Sequence, residues 1–344
     1  MSGVIKVLVV DDSAYVRKVV TQMLSRSPFI EVVATARDGE EALGVAADVQ
    51  PDVITCDLNM PLLDGVGFVR EQMARRPVPI VIISVASGAG EQVLSALDAG
   101  AVDFLQKPTA LASDRLFEVA EELIDKVKAA ATAPLRYVAA EAVVPVPPPF
   151  DRECSEHVDI VVIGVSTGGP QALKALMPAL PADFPVPVVV VLHMPPGYTE
   201  LYAAKLNEIS TLRVKEAAEG DELASGMVFI APAGRHLTFR RSGGRVLCHL
   251  DLRPLDTLHR PSVDVMFQSA ADVFGARILG VVMTGMGSDG REGAAWIKAR
   301  GGRMLTEAEQ SCVVYGMPRS VAEAGLSDAS VPLERLAQTI LEWV

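Results

Sequence analysis

Cysteine is scarce in this chain. Cys56, Cys154, Cys248 and Cys312 are spread through 344 residues with no close pair, which excludes a zinc knuckle and a disulfide framework and leaves reduced thiols as the expectation. Basic residues are in deficit too, 31 Lys and Arg against 43 Asp and Glu, for a formal charge of -12. Without a long Lys/Arg run, such a surface disfavours nucleic acid as a partner and a DNA-binding output module with it. Long apolar runs are missing: the stretch 186–192 falls far short of the ~20 residues that a membrane-spanning helix needs. The N-terminus leads straight into a strand without the basic, apolar and small-residue order of a secretory signal. A cytoplasmic protein with no membrane insertion is therefore expected. There is no internal repeat.

What is present is apolar sequence in short blocks. Half of the residues are hydrophobic, enough for two cores, and the length suggests roughly two domains. Residues 4–128 alternate strand and helix patterns, with strands expected at 4–10, 32–36, 53–56, 80–84 and 102–105. That alternation predicts a five-stranded parallel (βα)5 domain. From Ala129 to about Glu156 the pattern fails in an alanine-rich stretch that ends in Val144-Pro145-Val146-Pro147-Pro148-Pro149, expected to be a linker. Residues 157–344 form the second unit. Strands at 159–165, 186–192, 227–230 and 278–284, separated by helical stretches, predict a doubly wound α/β domain with a mostly parallel sheet. The segments 236–240 and 245–250 flank Ser242-Gly243-Gly244 and predict a β-hairpin.

In the first domain Asp11 and Asp12 end one strand, Asp57 ends another, Ser84 a third, and Lys107 follows the fifth. The C-terminal ends of parallel strands share one edge, where ligands bind. Three carboxylates there repel one another unless a cation neutralises them, and an all-oxygen site suits Mg²⁺. Lys107 and Ser84 are placed to hold a phosphoryl group on Asp57. Residues 4–128 resemble a response-regulator receiver domain, carried by Asp11-Asp12, Asp57, Met60-Pro61, Asp64-Gly65, Ser84 and Lys107-Pro108. The resemblance implies that Asp57 accepts a phosphoryl group from a sensor histidine kinase. It also implies that Asp11, Asp12, Asp57 and the Asn59 carbonyl bind Mg²⁺. Phe104 stands where that family has a switch aromatic, often a tyrosine, so a hydroxyl-based switch is unavailable.

The second domain opens on Gly164-Val165-Ser166-Thr167-Gly168-Gly169, a strand end broken by glycines. A nucleophilic serine is mounted in this way, with the next helix aiming its free N–H groups at the same place. A helix-capping serine and a phosphate cradle fit the same residues, although no Gly-Lys-Ser/Thr follows. A serine nucleophile needs a base and a carboxylate to orient it. Of five histidines, His193 directly follows an apolar strand and arrives at the same edge. His157 lies in the linker, His236 and His249 in the hairpin, and His259 stays open as an alternative. Asp289, in Gly285-Met286-Gly287-Ser288-Asp289-Gly290, is the first candidate for the carboxylate, and Asp264 the second, as a first-turn helix residue.

Residues 159–344 resemble the catalytic domain of bacterial chemotaxis protein-glutamate methylesterases. The matching stretches are 164–169, His193-Met194-Pro195-Pro196-Gly197, His259-Arg260-Pro261-Ser262-Val263-Asp264 and 284–290. The resemblance implies Ser166 as nucleophile, His193 as general base and Asp289 as its orienting carboxylate, with amides near Thr167, Met286 and Gly287 stabilising the oxyanion. The implied substrates are glutamate γ-methyl esters on methyl-accepting chemoreceptors, with deamidation of some glutamines, and the ester reaction needs no cofactor. A monomer is expected, with the unphosphorylated receiver partly blocking the cleft around Ser166. Two other classes remain open from the residues: a small-molecule esterase on a signalling chain and a non-enzymatic response regulator.

Overall fold

The computed structural model describes residues 4–84, 90–107, 113–133 and 158–344. Cys154, His157, Pro108 and the proline run of the linker lie outside the described residues. The chain divides into two compact units, Met1–Ala140 and Glu141–Val344.

The first unit is built on β1 (Ile5–Val10), β2 (Ile30–Ala36), β3 (Val53–Cys56), β4 (Ile80–Ser84) and β5 (Asp103–Gln106), in the order β2-β1-β3-β4-β5. Every pairing is parallel. Helices α1 (Ala14–Leu24) and α5 (Ser113–Thr132) pack together, and α2 (Gly39–Val49), α3 (Gly65–Arg75) and α4 (Gly90–Asp98) follow one another in contact. Val7, Val9, Val53, Val81 and Leu105 join Leu123, Ile124 and Val127 in one core, so the strands are buried as a parallel sheet requires. Ser13, Asp38 and Asp64 each accept an amide hydrogen bond at the start of α1, α2 and α3. Helix α5 continues to Thr132, past the expected boundary at 128, because Ala129, Ala130 and Ala131 favour helix.

The second unit carries a seven-stranded sheet of β6 (Ile160–Val165), β7 (Val188–Leu192), β8 (Arg213–Glu216), β9 (Met227–Ile230), β12 (Ile278–Val282), β13 (Arg303–Glu307) and β14 (Ala329–Val331). Its order is β14-β13-β12-β6-β7-β9-β8, and all neighbours are parallel. Strands β10 (His236–Ser242) and β11 (Arg245–Asp251) form the expected hairpin as a separate antiparallel pair. Helices α6 (Gly169–Leu176), α7 (Thr199–Ile209) and α11 (Leu333–Trp343) form one group, with α6 touching both others. Helices α8 (Val263–Phe274), α9 (Arg291–Ala299) and α10 (Met317–Glu323) form another, with α9 touching both others. The sequence patterns missed β8, β13 and β14. The first is a polar edge strand of four residues, Arg-Val-Lys-Glu, and β14 has three residues, too few for either periodicity to register. The chain winds from β6 to β7 on one side and later to β12 on the other. The crevice at that reversal is where open parallel sheets bind ligands.

Candidate active site

Strand β6 delivers Ser166 to this reversal point. The Ser166 amide donates to the Thr284 carbonyl at 3.0 Å, tying the end of β6 to the segment after β12. Gly168 then adopts φ 79°, and a Cβ there would stand 2.5 Å from Val313, so the turn into α6 accepts only glycine. Gly285 passes so close behind the serine that a Cβ on it would lie 2.8 Å from Ser166 Cβ.

His193 enters from the end of β7, its amide donating to the Val165 carbonyl at 3.2 Å. Its Nε2 meets Asp289 Oδ2 at 2.9 Å, with side-chain exposures of 8% and 10%. A carboxylate only accepts, so Nε2 carries the ring hydrogen and Nδ1 is the acceptor. Nδ1 is buried and has no hydrogen-bond partner among the described residues. In the familiar triad the carboxylate holds Nδ1 and the serine faces Nε2, so the ring here uses its nitrogens in the opposite sense. Ser166 and His193 are not hydrogen-bonded to each other in this state, as is common before substrate binds.

Asp289 is held by more than the histidine. Its carboxylate also accepts from Ser262 Oγ at 2.9 Å, the Val263 amide at 2.8 Å and the Asp264 amide at 2.9 Å, at the N-terminus of α8. Burial alone would raise its pKa, but the hydrogen bond and charge of His193 together with the amides outweigh it and keep the carboxyl below its usual range. The second candidate, Asp264, is in the same cluster and has a different task. Its Oδ1 accepts the Gly290 amide at 2.9 Å and the Gly293 amide at 2.6 Å, at the start of α9. Burial raises the pKa of Asp264, opposed by the Gly293 amide and reinforced by the charge of Asp289.

The alternative histidine is also drawn in. His259 stacks on the His193 ring, with centroids 4.1 Å apart and planes 21° apart. His236 is fully buried and accepts the Ser262 amide at Nδ1, 3.2 Å away, so its Nε2–H faces the Pro254 carbonyl at 3.1 Å. Burial lowers its pKa. His249 instead meets Glu219 at 2.9 Å on the hairpin. The oxyanion candidates lie around the serine turn. Thr167 is buried, its carbonyl accepting from Thr284 Oγ1 at 2.9 Å, while Met286 is half-buried and Gly287 exposed with φ 84°.

Two supporting residues were not picked out by the sequence patterns. Glu307 is fully buried at the end of the missed strand β13, and its Oε2 accepts the Thr284 amide at 2.8 Å. Ser262 caps α8 and donates to Asp289, a role its place after Pro261 and before an apolar helix made half legible.

The first unit has its own polar cluster, also where the winding reverses, between β1 and β3. Oxygens of Asp11, Asp12 and Asp57 lie within 4.8 Å of one another, Asp12 being exposed. Lys107 Nζ donates to Asp11 Oδ2 at 2.7 Å and pairs with Asp57 Oδ1 at 3.0 Å. Burial raises the pKa of Asp57, against the lowering effect of Lys107. Among the described residues Ser84 Oγ is buried without a partner, and Phe104 is buried on the neighbouring strand, in register with Ile82. The donor set, three carboxylates and no soft ligand, fits a hard divalent cation. Asn59 is exposed just beyond Asp57.

Together these features define a class: a five-stranded parallel α/β unit with an acidic cluster at its strand ends, followed by a parallel-sheet α/β unit with a serine-hydrolase constellation. Residues 161–340 match the CheB methylesterase family and residues 7–121 match the response regulator receiver domain. The chain belongs to the CheB methylesterase family. It is 50% identical to the Protein-glutamate methylesterase/protein-glutamine glutaminase 5 of Myxococcus xanthus, over 96% of this chain and 95% of that one. It is 43% identical to the Protein-glutamate methylesterase/protein-glutamine glutaminase of Halalkalibacterium halodurans, over 99% of each. Among solved structures, the Thermotoga maritima CheB methylesterase catalytic domain superposes with a TM-score of 0.54 at 42% identity, covering 55% of this chain and all of that one.

Proposed function

We propose that this protein hydrolyses glutamate γ-methyl esters on chemoreceptors when its receiver is phosphorylated, and deamidates selected receptor glutamines. One observation carries the reading. The half-buried His193–Asp289 pair, 2.9 Å apart, leaves His193 Nδ1 as an unsatisfied acceptor among the described residues, on the sheet edge that bears Ser166.

In this mechanism Ser166 Oγ attacks the ester carbonyl while its proton passes to His193 Nδ1. Asp289, charged and fixed by four donors, stabilises the imidazolium. Amides near Thr167, Met286 and Gly287 hold the oxyanion. The C–O bond to the methyl group's oxygen breaks, and His193 returns the proton so that methanol leaves. Water then attacks the acyl-enzyme, its proton going to His193 and on to Ser166 Oγ as glutamate is freed. With glutamine the same steps release ammonia.

In the receiver, Asp57 takes the phosphoryl group from a histidine kinase, the N–P bond breaking as the O–P bond forms. Asp11, Asp12, Asp57 and the Asn59 carbonyl would hold Mg²⁺, which neutralises charge as the phosphoryl group arrives. Lys107 pairs with a phosphoryl oxygen, and Ser84 Oγ, now without a partner, donates to another. Ring packing of Phe104 follows Ser84. The unphosphorylated receiver restrains the esterase. No helix among the described residues is long and apolar enough to cross a membrane, and in this reading the protein works as a cytoplasmic monomer on the receptors' cytoplasmic parts.

The test is methanol release from methylated receptor membranes, with and without acetyl phosphate and Mg²⁺. Release that rises with the phosphodonor supports the reading. Hydrolysis of simple esters without methanol from receptors points to a small-molecule esterase. Failure of a fluorophosphonate to label Ser166 points to a non-enzymatic regulator.

A further inference from the structure

Residues 252–262 connect β11 to α8 and carry His259 onto the ring of His193. Burial of leucines does not hold this loop, since Leu252, Leu255 and Leu258 are 53%, 69% and 97% exposed, and His259 is exposed as well. Polar contacts fix it instead. His236, fully buried, accepts the Ser262 amide at 3.2 Å, and its other ring nitrogen meets the Pro254 carbonyl at 3.1 Å and Thr257 Oγ1 at 3.3 Å. The Arg260 carbonyl accepts the Gly234 amide at 2.8 Å, and the Arg260 guanidinium donates to the Leu255 carbonyl at 3.2 Å. Three residues beyond His259, Ser262 Oγ donates to Asp289 at 2.9 Å, followed by the Val263 and Asp264 amides at 2.8 and 2.9 Å. One short stretch of chain thus fixes the carboxylate at the edge of the His193 ring and the ring that covers its face.

His193 needs a hold of this kind. Its Nε2 meets Asp289 at 2.9 Å, while Nδ1 has no partner among the described residues, so no second hydrogen bond fixes the plane of the ring. A half-turn about the Cβ–Cγ bond would bring Cε1 to the carboxylate and put Cδ2 where Nδ1 stood, removing the acceptor and its orienting contact together. During that turn the two edges of the ring sweep the space on both sides of its plane. With centroids 4.1 Å apart and planes 21° apart, His259 is near van der Waals contact and fills that space on one side.

We propose that His259 is a positioning residue for His193: its stacked ring blocks the half-turn and keeps Nδ1 oriented to take the proton of Ser166. The proposal rests on the functional reading above, in which His193 is the base. His259 transfers no proton in this role. What counts is a flat ring at the right height, supplied by a loop whose backbone is pinned by His236 and Ser262.

The experiment compares the full-length protein with His259→Ala and His259→Ser, which remove the ring, and with His259→Phe, which keeps a flat ring without nitrogens. At about pH 8, where an ordinary imidazole is neutral, each is tested for the rate of fluorophosphonate labelling of Ser166 and for kcat and KM of methanol release from methylated receptor membranes. The Nε2–H proton signal of His193 is followed by NMR. The ring-less variants should be labelled about tenfold more slowly, with kcat down by the same factor and KM within about twofold of wild type. His259→Phe should stay within about threefold of wild type. The Nε2–H signal, sharp in wild type and in His259→Phe, should broaden in the ring-less variants. Labelling of the ring-less variants at the wild-type rate overturns the proposal. So does a His259→Phe variant as slow as they are, which makes the nitrogens of His259 the active groups, or a change in KM alone, which makes His259 a substrate contact. Loss of the fold in both ring-less variants makes it a structural residue and overturns the proposal too. If wild type is not labelled the functional reading fails, whereas labelled wild type with unaltered ring-less variants removes the role of His259 alone.

Discussion

Asp264 and Asp289 cap each other's helices. Asp289, just before α9, accepts the Val263 and Asp264 amides of α8 at 2.8 and 2.9 Å, while Asp264, on α8, accepts the Gly290 and Gly293 amides at the start of α9 at 2.9 and 2.6 Å. Two carboxyls exchanged in this way sit side by side, and one of them holds the His193 imidazole.

The exchange predicts a pH-dependent stability. Burial, opposed by the Gly293 amide and reinforced by the charge of Asp289, raises the Asp264 carboxyl to about 7. Between the ordinary aspartate range and about pH 7 the folded protein therefore keeps a proton that the unfolded chain has released, and stability from this group falls as pH rises through that window. In Asp264→Asn the amide oxygen still accepts from Gly290 and Gly293 and nothing titrates, so its Tm should decline less than that of wild type between about pH 4 and about pH 7. Parallel declines would count against the carboxyl pair. Asp264→Ala also leaves two helix amides uncapped and should lower stability by about 1–2 kcal/mol, read from chemical denaturation.

Gly285 predicts a steric effect at Ser166. A methyl group at this position would lie 2.5 Å from Met317 Sδ, 2.8 Å from Ser166 Cβ and 3.1 Å from the Ser166 amide nitrogen. The methionine can swing aside, but the serine backbone is fixed by its bond to the Thr284 carbonyl. In Gly285→Ala the rate of fluorophosphonate labelling should drop about tenfold or more, with an overpacking cost of about 1–3 kcal/mol. Labelling at the wild-type rate would show that Ser166 does not depend on this approach.

Glu307 predicts a pH-dependent stability. Burial raises its pKa, against the pull of the Thr284 amide, so the folded protein keeps this proton to higher pH than the unfolded chain does. Above the ordinary glutamate range the unfolded state has released the proton and the folded state has not. Stability from this group therefore falls as pH rises, until the folded-state value is passed. Glu307→Gln removes the titration and keeps an oxygen for Thr284. Its Tm should decline less than that of wild type as pH rises above the ordinary glutamate range. Parallel declines would mean that Glu307 is not the group responsible.

Asp57 predicts dependence on a phosphodonor. Acetyl phosphate with Mg²⁺ should accelerate methanol release by wild type and leave Asp57→Asn unchanged. Removing residues 1–140, the whole first unit, should raise the unstimulated rate. The Thermotoga maritima catalytic domain was solved as a separate piece matching only this second unit, which favours independent folding. A truncated protein no faster than the unphosphorylated full-length chain would rule out restraint by the receiver.

Much of this was legible because parallel sheets write themselves plainly in sequence. Strands buried on both faces appear as unbroken runs such as Val188 to Leu192, and the residue that follows each run arrives at the ligand-binding edge. Ser166, His193, Asp57 and Ser84 were found in that way. The polar or very short strands β8 and β14 had no such run, and with β13 went Glu307, a buried carboxyl no local pattern announces.

The sequence by itself determined the two α/β units, the strand ends and the residue types that meet there, because periodicity and glycine placement are local. Which ring nitrogen of His193 faces Asp289, why Asp264 serves α9 and not the imidazole, and how His236 pins a loop of exposed leucines were decided only by tertiary structure. Those are contacts between segments from 26 to 96 residues apart, and their geometry is set by packing.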